Sequence, residues 1–205
     1  MKQIRLNTFE TNSSSSHSFV ITDFEGRYSQ EEIEDLVCLR KDGRVSMWAS
    51  SLEFGRSPFN FLNNFVAKTR YAIASSDGKL VPQIVEVWKK YVPGFTHFEF
   101  DEKYRVWDDE KEDYVDTDED HPVYEYGYTD DYKIEGWLKK YNVSIEDFLT
   151  MKRYIVVCDG DEYNIWDKVR DSGLMDKSHI LHDSYEEEEE EWRRKYEEEK
   201  ANENH

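Results

Sequence analysis

The sequence predicts an α+β fold: a mixed or antiparallel sheet with several packed helices, followed by an acidic C-terminal helix. Three observations predict it. Short runs rich in β-branched and aromatic residues cluster near the N-terminus, in the middle of the chain and around residues 154–157. Segments with helical apolar spacing separate those runs. The tail from residue 184 is dominated by glutamate.

The elements follow in order. Residues 2–9 alternate Ile4 and Leu6 with polar neighbours and read as a strand, as do residues 17–22. Residues 10–16 connect them, which suggests a hairpin or an adjacent pair. Ser29-Gln30-Glu31-Glu32 is a capping box, and Ile33, Leu36, Val37 and Arg40 continue at helical spacing until Asp42-Gly43. Residues 44–54 read as extended. Ser57-Pro58 opens the next helix, with Phe61, Leu62, Phe65, Val66 and Thr69 as its apolar stripe, closed by residues 75–78. Residues 80–92 place Ile84, Val87, Trp88 and Tyr91 on one helical face, stopped by Pro93-Gly94. Residues 95–100, 104–107, 114–115 and 123–128 have strand composition, with a charged turn at 108–112 and an acidic loop at 116–122. Residues 132–141 and 144–151 read as helices, the second capped by Ser144 with acids in its first turn. A strand at 154–157 and a helix at 162–172 follow. From Tyr185 the tail reads as one solvated helix. Glu190–Arg194 and Glu191–Lys195 form its i,i+4 pairs, and Tyr185, Trp192 and Tyr196 lie near one face. The expected organisation is one domain over residues 1–183, with an acidic β-rich segment at 99–135, and a helical or partly disordered tail over 184–205.

Charge sharpens this picture. The 205 residues carry a formal net charge of −19. Residues 99–135 hold 16 acidic and 4 basic side chains, and residues 186–205 hold 10 and 4. The other residues are nearly neutral. Such acidity argues against direct binding of nucleic acid, whose phosphates need Lys and Arg, and against anionic membranes. The apolar share is 38% and the aromatic share 15%, so large rings must supply much of the core. No apolar run reaches the roughly 18 residues of a membrane span, and no secretory signal opens the chain. Cys38 and Cys158 do not make a disulfide framework. The expected location is the cytoplasm, with no cofactor.

Residues 12–17 are the sharpest local feature. Asn12, Ser13, Ser14, Ser15 and Ser16 supply hydroxyls and loop N–H groups able to cradle a phosphate. His17 is a general acid–base candidate. The competing reading is a polar loop running into a strand-start histidine. His179 and His182 stand at i,i+3, a spacing that chelates metal on a helix, yet lack a third ligand, so no metal site is assigned. Asp116, Asp118, Glu119 and Asp120 lack the glycine and terminal glutamate of a calcium loop. Asp159-Gly160-Asp161 follows a strand, where carboxylates often serve catalysis and where ordinary turns also fall. No Walker, G-x-G-x-x-G, G-x-S-x-G or C-x-x-C pattern is present.

Residues 9–18, Phe-Glu-Thr-Asn-Ser-Ser-Ser-Ser-His-Ser, resemble the N-terminal signature of a protein family of tailed phages and Gram-positive bacteria. Glu53-Phe54-Gly55 resembles that family's E-F-G segment. Gly127-Tyr128-Thr129-Asp130-Asp131, Glu146-Asp147-Phe148-Leu149 and residues 155–161 resemble its later segments. The resemblance reaches to about residue 175 and leaves the acidic tail outside. It implies an origin rather than an activity. Where the family pattern leads us to expect histidine, this chain has Asp131, so a site relying on that histidine would be impaired or serve binding only.

Two functions are expected from these readings. The first is a non-catalytic phage-type protein that binds a host protein with a basic surface, in one form by DNA mimicry. Its contact residues are Asp108, Asp109, Asp116, Asp118, Glu119, Asp120, Glu186, Glu187, Glu188, Glu189, Glu190 and Glu191, with Trp192 as apolar anchor. The second is a small enzyme or ligand-binding domain for a phosphorylated or nucleotide-like molecule. There Ser13 to Ser16 hold the anion, His17 moves a proton, and Asp130 or Asp161 orients it.

Overall fold

Strand β1 (Ser16–Thr22) has hydrogen-bonded neighbours on both sides in the main sheet. The computed structural model describes residues 16–54, 60–100, 105–108, 111, 113–116, 133–159 and 180–203. Among these, the main sheet has the order β3-β7-β1-β8, with β3 at Asn60–Leu62, β7 at Tyr154–Asp159 and β8 at Ile180–Asp183. Every pairing in it is antiparallel. Smaller ribbons are the parallel pair β2 (Val45–Met47) with β4 (Phe98–Phe100), and the antiparallel pair β5 (Arg105–Asp108) with β6 (Asp113–Asp116). Six helices are described: α1 (Gln30–Glu34), α2 (Phe65–Ser75), α3 (Val81–Tyr91), α4 (Ile134–Lys140), α5 (Ile145–Thr150) and α6 (Ser184–Glu203). The expected α+β class is therefore observed.

Register explains why β1 and β7 lack polar alternation. Phe19 pairs with Val156, and Val156 pairs with Leu62, so these three share one face. Val20 with Ile155, and Ser18 with Val157, share the other. Both faces are buried, which selects continuous apolar runs.

Aromatic rings fill the layer between sheet and helices. The Phe19 ring lies 5.5 Å from Tyr141, 5.7 Å from Trp137, 5.9 Å from Tyr154 and 6.0 Å from Phe148. Trp88 of α3 is fully buried against Phe65, Phe95 and Phe98, and its indole N–H donates to Thr69 Oγ1 at 2.9 Å. Each such ring is worth about 2–3 kcal/mol of transfer free energy, which offsets the shortage of aliphatic residues.

Several expectations need correction. Helix α1 ends at Glu34 rather than near Arg40. Only Ile33 of its residues is buried and Leu36 is 46% exposed, so no apolar face supports further turns. Phe61 and Leu62 belong to β3, and α2 begins at Phe65. Their backbones join the sheet edge opposite Val157 and Val156, and the Asn64 side chain caps the Ala67 N–H at 2.9 Å. The extended reading of 44–54 holds for β2 but includes a 3-10 turn at Ala49–Ser51. His182 lies on strand β8, and His179 lies outside the described residues. The strands read at 2–9 and 123–128 and the helix read at 162–172 lie outside the described residues.

Candidate functional site

The first candidate region is one end of the main sheet. The register sets Ser16 opposite Asp159 and His17 opposite Cys158, which is in turn opposite Asn60. His17, Cys158 and Asn60 therefore occupy one row on the helix-facing side, because directly paired residues share a face. His17 is completely buried, and its Nδ1 lies 2.9 Å from the Tyr71 hydroxyl of α2. Loss of hydration lowers its pKa to about 4, against a smaller opposing effect from a hydrogen bond with the Phe54 backbone. At neutral pH the ring is therefore an uncharged member of the core. Burial also raises the Cys158 thiol well above its ordinary range, so it packs as an inert hydrophobe. This environment suits holding Tyr71 in place. Proton transfer to a bound molecule would need an exposed imidazole edge.

Ser16 is placed by its backbone on β1, not in a loop. Asn12, Ser13, Ser14, Ser15, Asp130 and Asp161 lie outside the described residues.

The second region is the acidic helix α6. Its base is bound to the sheet: Ser18 Oγ donates to Asp183 Oδ1 at 2.9 Å, and the Phe19 N–H donates to Ser184 Oγ at 2.6 Å. Glu187 Oε2 accepts from Lys140 Nζ at 2.6 Å and from the Tyr141 hydroxyl at 3.1 Å. Those bonds hold the Glu187 carboxyl below the usual carboxylate range and raise the Lys140 ammonium. His182 Nε2 lies 2.6 Å from the same Tyr141 hydroxyl. Beyond this anchor the helix is mostly exposed. It pairs Glu189 with Arg193 at 3.3 Å and Glu191 with Lys195 at 2.8 Å. The first of these takes the place of the expected Glu190–Arg194 pair. Trp192 and Tyr196 stack with centroids 5.4 Å apart and are half-buried. Partial burial raises the Glu188 carboxyl, while Glu186 and Glu190 are exposed.

Of the contact residues expected in the other acidic block, Asp108 and Asp116 are described, for their backbone. Asp108 stands opposite Asp113 on the β5–β6 ribbon, and Asp116 opposite Arg105. Like charges facing across a ladder disfavour pairing, so other contributions hold this ribbon. Asp109, Asp118, Glu119 and Asp120 lie outside the described residues.

Sequence reasoning missed Tyr71, Tyr141, Lys140 and Lys68. Lys68 is fully buried, and its Nζ donates to the carbonyls of Phe148 (2.9 Å) and Met151 (2.8 Å) at the end of α5. One signal was present: Lys68 follows Phe65 by three positions and so falls in phase with the apolar stripe. The described residues contain no group of three or more His, Cys, Asp or Glu side chains able to hold a metal ion. No helix among them is long and apolar enough to cross a membrane. No family model, curated protein or solved structure matches this chain.

Proposed function

We propose that this α+β protein is an acidic interaction protein that presents helix α6 to a basic surface of a partner protein. The observation that carries the reading is the asymmetry of α6. Its first turn is tied to β1 and α4, and the remainder presents exposed glutamates with Trp192 and Tyr196 along one side. Twenty residues span about 30 Å, enough to follow a groove shaped for nucleic acid. Carboxylates there attract Lys and Arg, accelerate encounter, and lose strength as salt rises. The resemblance of residues 9–18 to a tailed-phage family supports a host protein as the partner, with DNA mimicry as the specific form.

Immobilised full-length chain and a chain lacking residues 186–205 are compared as baits in a bacterial lysate. The expected result is a partner retained at about 50 mM salt, released at about 500 mM, displaced by duplex DNA, and absent from the shortened bait. Retention that ignores salt and the deletion would remove α6 from the function.

A second reading, a ligand-binding or catalytic domain, has one observation in its favour. The pairing of Ser16 with Asp159 joins the end of the serine run to the strand that leads to Asp161. Full biological effect in a His17→Gln variant would dispose of proton transfer at that position.

A further inference from the structure

The base of α6 is held by side chains drawn from three elements. His182 stands on β8, Tyr141 is the C-cap residue of α4, and Glu187 lies in the first turn of α6. His182 Nε2 lies 2.6 Å from the Tyr141 hydroxyl, and the two rings are 4.5 Å apart. The same hydroxyl lies 3.1 Å from Glu187 Oε2, and His182 Nδ1 lies 3.5 Å from Glu187 Oε1. The three side chains thus close a ring of contacts.

That ring needs three protons. The hydroxyl donates toward Glu187 Oε2, an Nε2–H toward the hydroxyl oxygen, and an Nδ1–H toward Glu187 Oε1. A phenol carries one proton and a neutral imidazole one N–H, whereas an imidazolium carries two. With a single ring proton on Nε2, the Nδ1 lone pair faces a carboxylate oxygen. With that proton on Nδ1, the hydroxyl must donate to Nε2, and Glu187 loses its bond. Only the protonated ring satisfies every contact, and it sets an opposite charge beside Glu187. Histidine is the side chain type that changes charge between about pH 5 and 8.

Other charges act on this cluster. Lys140 Nζ, at the end of α4, is bound to Glu187 Oε2 at 2.6 Å. Glu188 of α6 lies within the influence of Lys140, Asp183, Glu187 and Glu191. Opposite His182 on β1 stands uncharged Ile21. Lys140 and the positive end of α6 oppose an imidazolium, while Asp183, Glu187 and Glu188 favour it. The direct contacts of the ring go to Tyr141 and Glu187, and they set the sign. The His182 side chain is 20% exposed, so solvent protons reach it, in contrast to buried His17. A separate attachment, from the Phe19 N–H to Ser184 Oγ, holds the start of the helix to β1 in either state of the imidazole. Opening the ring of contacts therefore frees the first turn without detaching α6.

We propose that His182, Tyr141 and Glu187 form a pH-operated clasp on α6, closed when the imidazole is protonated and loosened when it is neutral. The consequence for docking, a helix freer to engage its partner at pH 8.0 than at pH 5.5, rests on the function proposed for α6. The clasp itself does not.

Hydrogen exchange of the full chain at about pH 5.5 and about pH 8.0, with times scaled to intrinsic amide rates, tests it without a partner. Protection of residues 186–192 is expected to be at least about threefold lower at the higher pH. Residues 154–159 of β7 are the internal control. Their protection is expected to be no lower at the higher pH, because His17 destabilises the fold as pH falls. His182→Gln, which leaves Lys140 and Glu188 in place, is expected to abolish the difference in α6. Tyr141→Phe, which keeps the ring that stacks on Phe19, is expected to reduce it. Protection of β7 also shows that each variant is folded. Equal protection of α6 at the two pH values overturns the proposal, as does the parent difference surviving in His182→Gln. Because no partner enters the measurement, its failure is distinct from a failure to retain a partner from lysate.

Discussion

His17 and Lys68 show how burial redirects residue types that look functional. An imidazole with its pKa lowered to about 4 has a stability consequence of definite sign. Between the unfolded value of about 6.5 and 4, the unfolded chain binds the proton and the folded chain does not. Stability therefore falls as pH drops through that window, by up to about 3 kcal/mol from this residue. Urea denaturation at pH 7 and pH 4.5 should show a smaller loss in His17→Gln than in the parent. Equal losses would mean that His17 is hydrated. Lys68 is a second basic side chain in an equally closed place. Burial lowers its ammonium well below the usual lysine range, while the carbonyls of Phe148 in α5 and of Met151, its C-cap, hold its protons. Its amine completes a helix end whose carbonyls have no partner within the helix. Lys68→Met should cost about 2–4 kcal/mol in chemical denaturation, because two buried acceptors lose their donor. A neutral result would show that water reaches those carbonyls.

Elements defined by local chemistry were legible in the sequence. The Ser29–Glu32 capping box forms in both directions, at 3.1 and 2.7 Å, and Ser144 caps Asp147 at 3.0 Å. Helix α3 stops where Pro93-Gly94 said it would. The start of α2 was not legible, because Phe61 and Leu62 satisfy helical spacing and strand composition equally well. Pairing with β7, almost one hundred residues away, decides between them. Asn64 is then the cap, and Asn64→Ala should lower stability by about 1 kcal/mol in thermal unfolding. No change would place the true helix start elsewhere. The His17 site was half legible. Its strand was readable, but its burial depends on α2 bringing Tyr71 onto it. The α6 anchor was not legible, since nothing in the tail marks Glu187 among its neighbours as the partner of Lys140.

At the scale of the whole molecule, net charge of −19 destabilises the compact state through self-repulsion. Raising salt from about 10 to about 100 mM shortens the screening length from about 30 to about 10 Å. The thermal midpoint is therefore expected to rise over that range. A fall would mean that exposed pairs such as Lys140–Glu187 outweigh the repulsion. The sequence by itself determined the α+β class, the Ser29 and Ser144 caps, the aromatic basis of the core and the acidic tail helix. These follow from periodicity, composition and neighbours within a few positions. Tertiary structure alone decided the strand order, the burial of His17 and the placement of Lys68. Those outcomes depend on which distant segments meet, and the free energy of such meetings comes from surfaces that no local window contains.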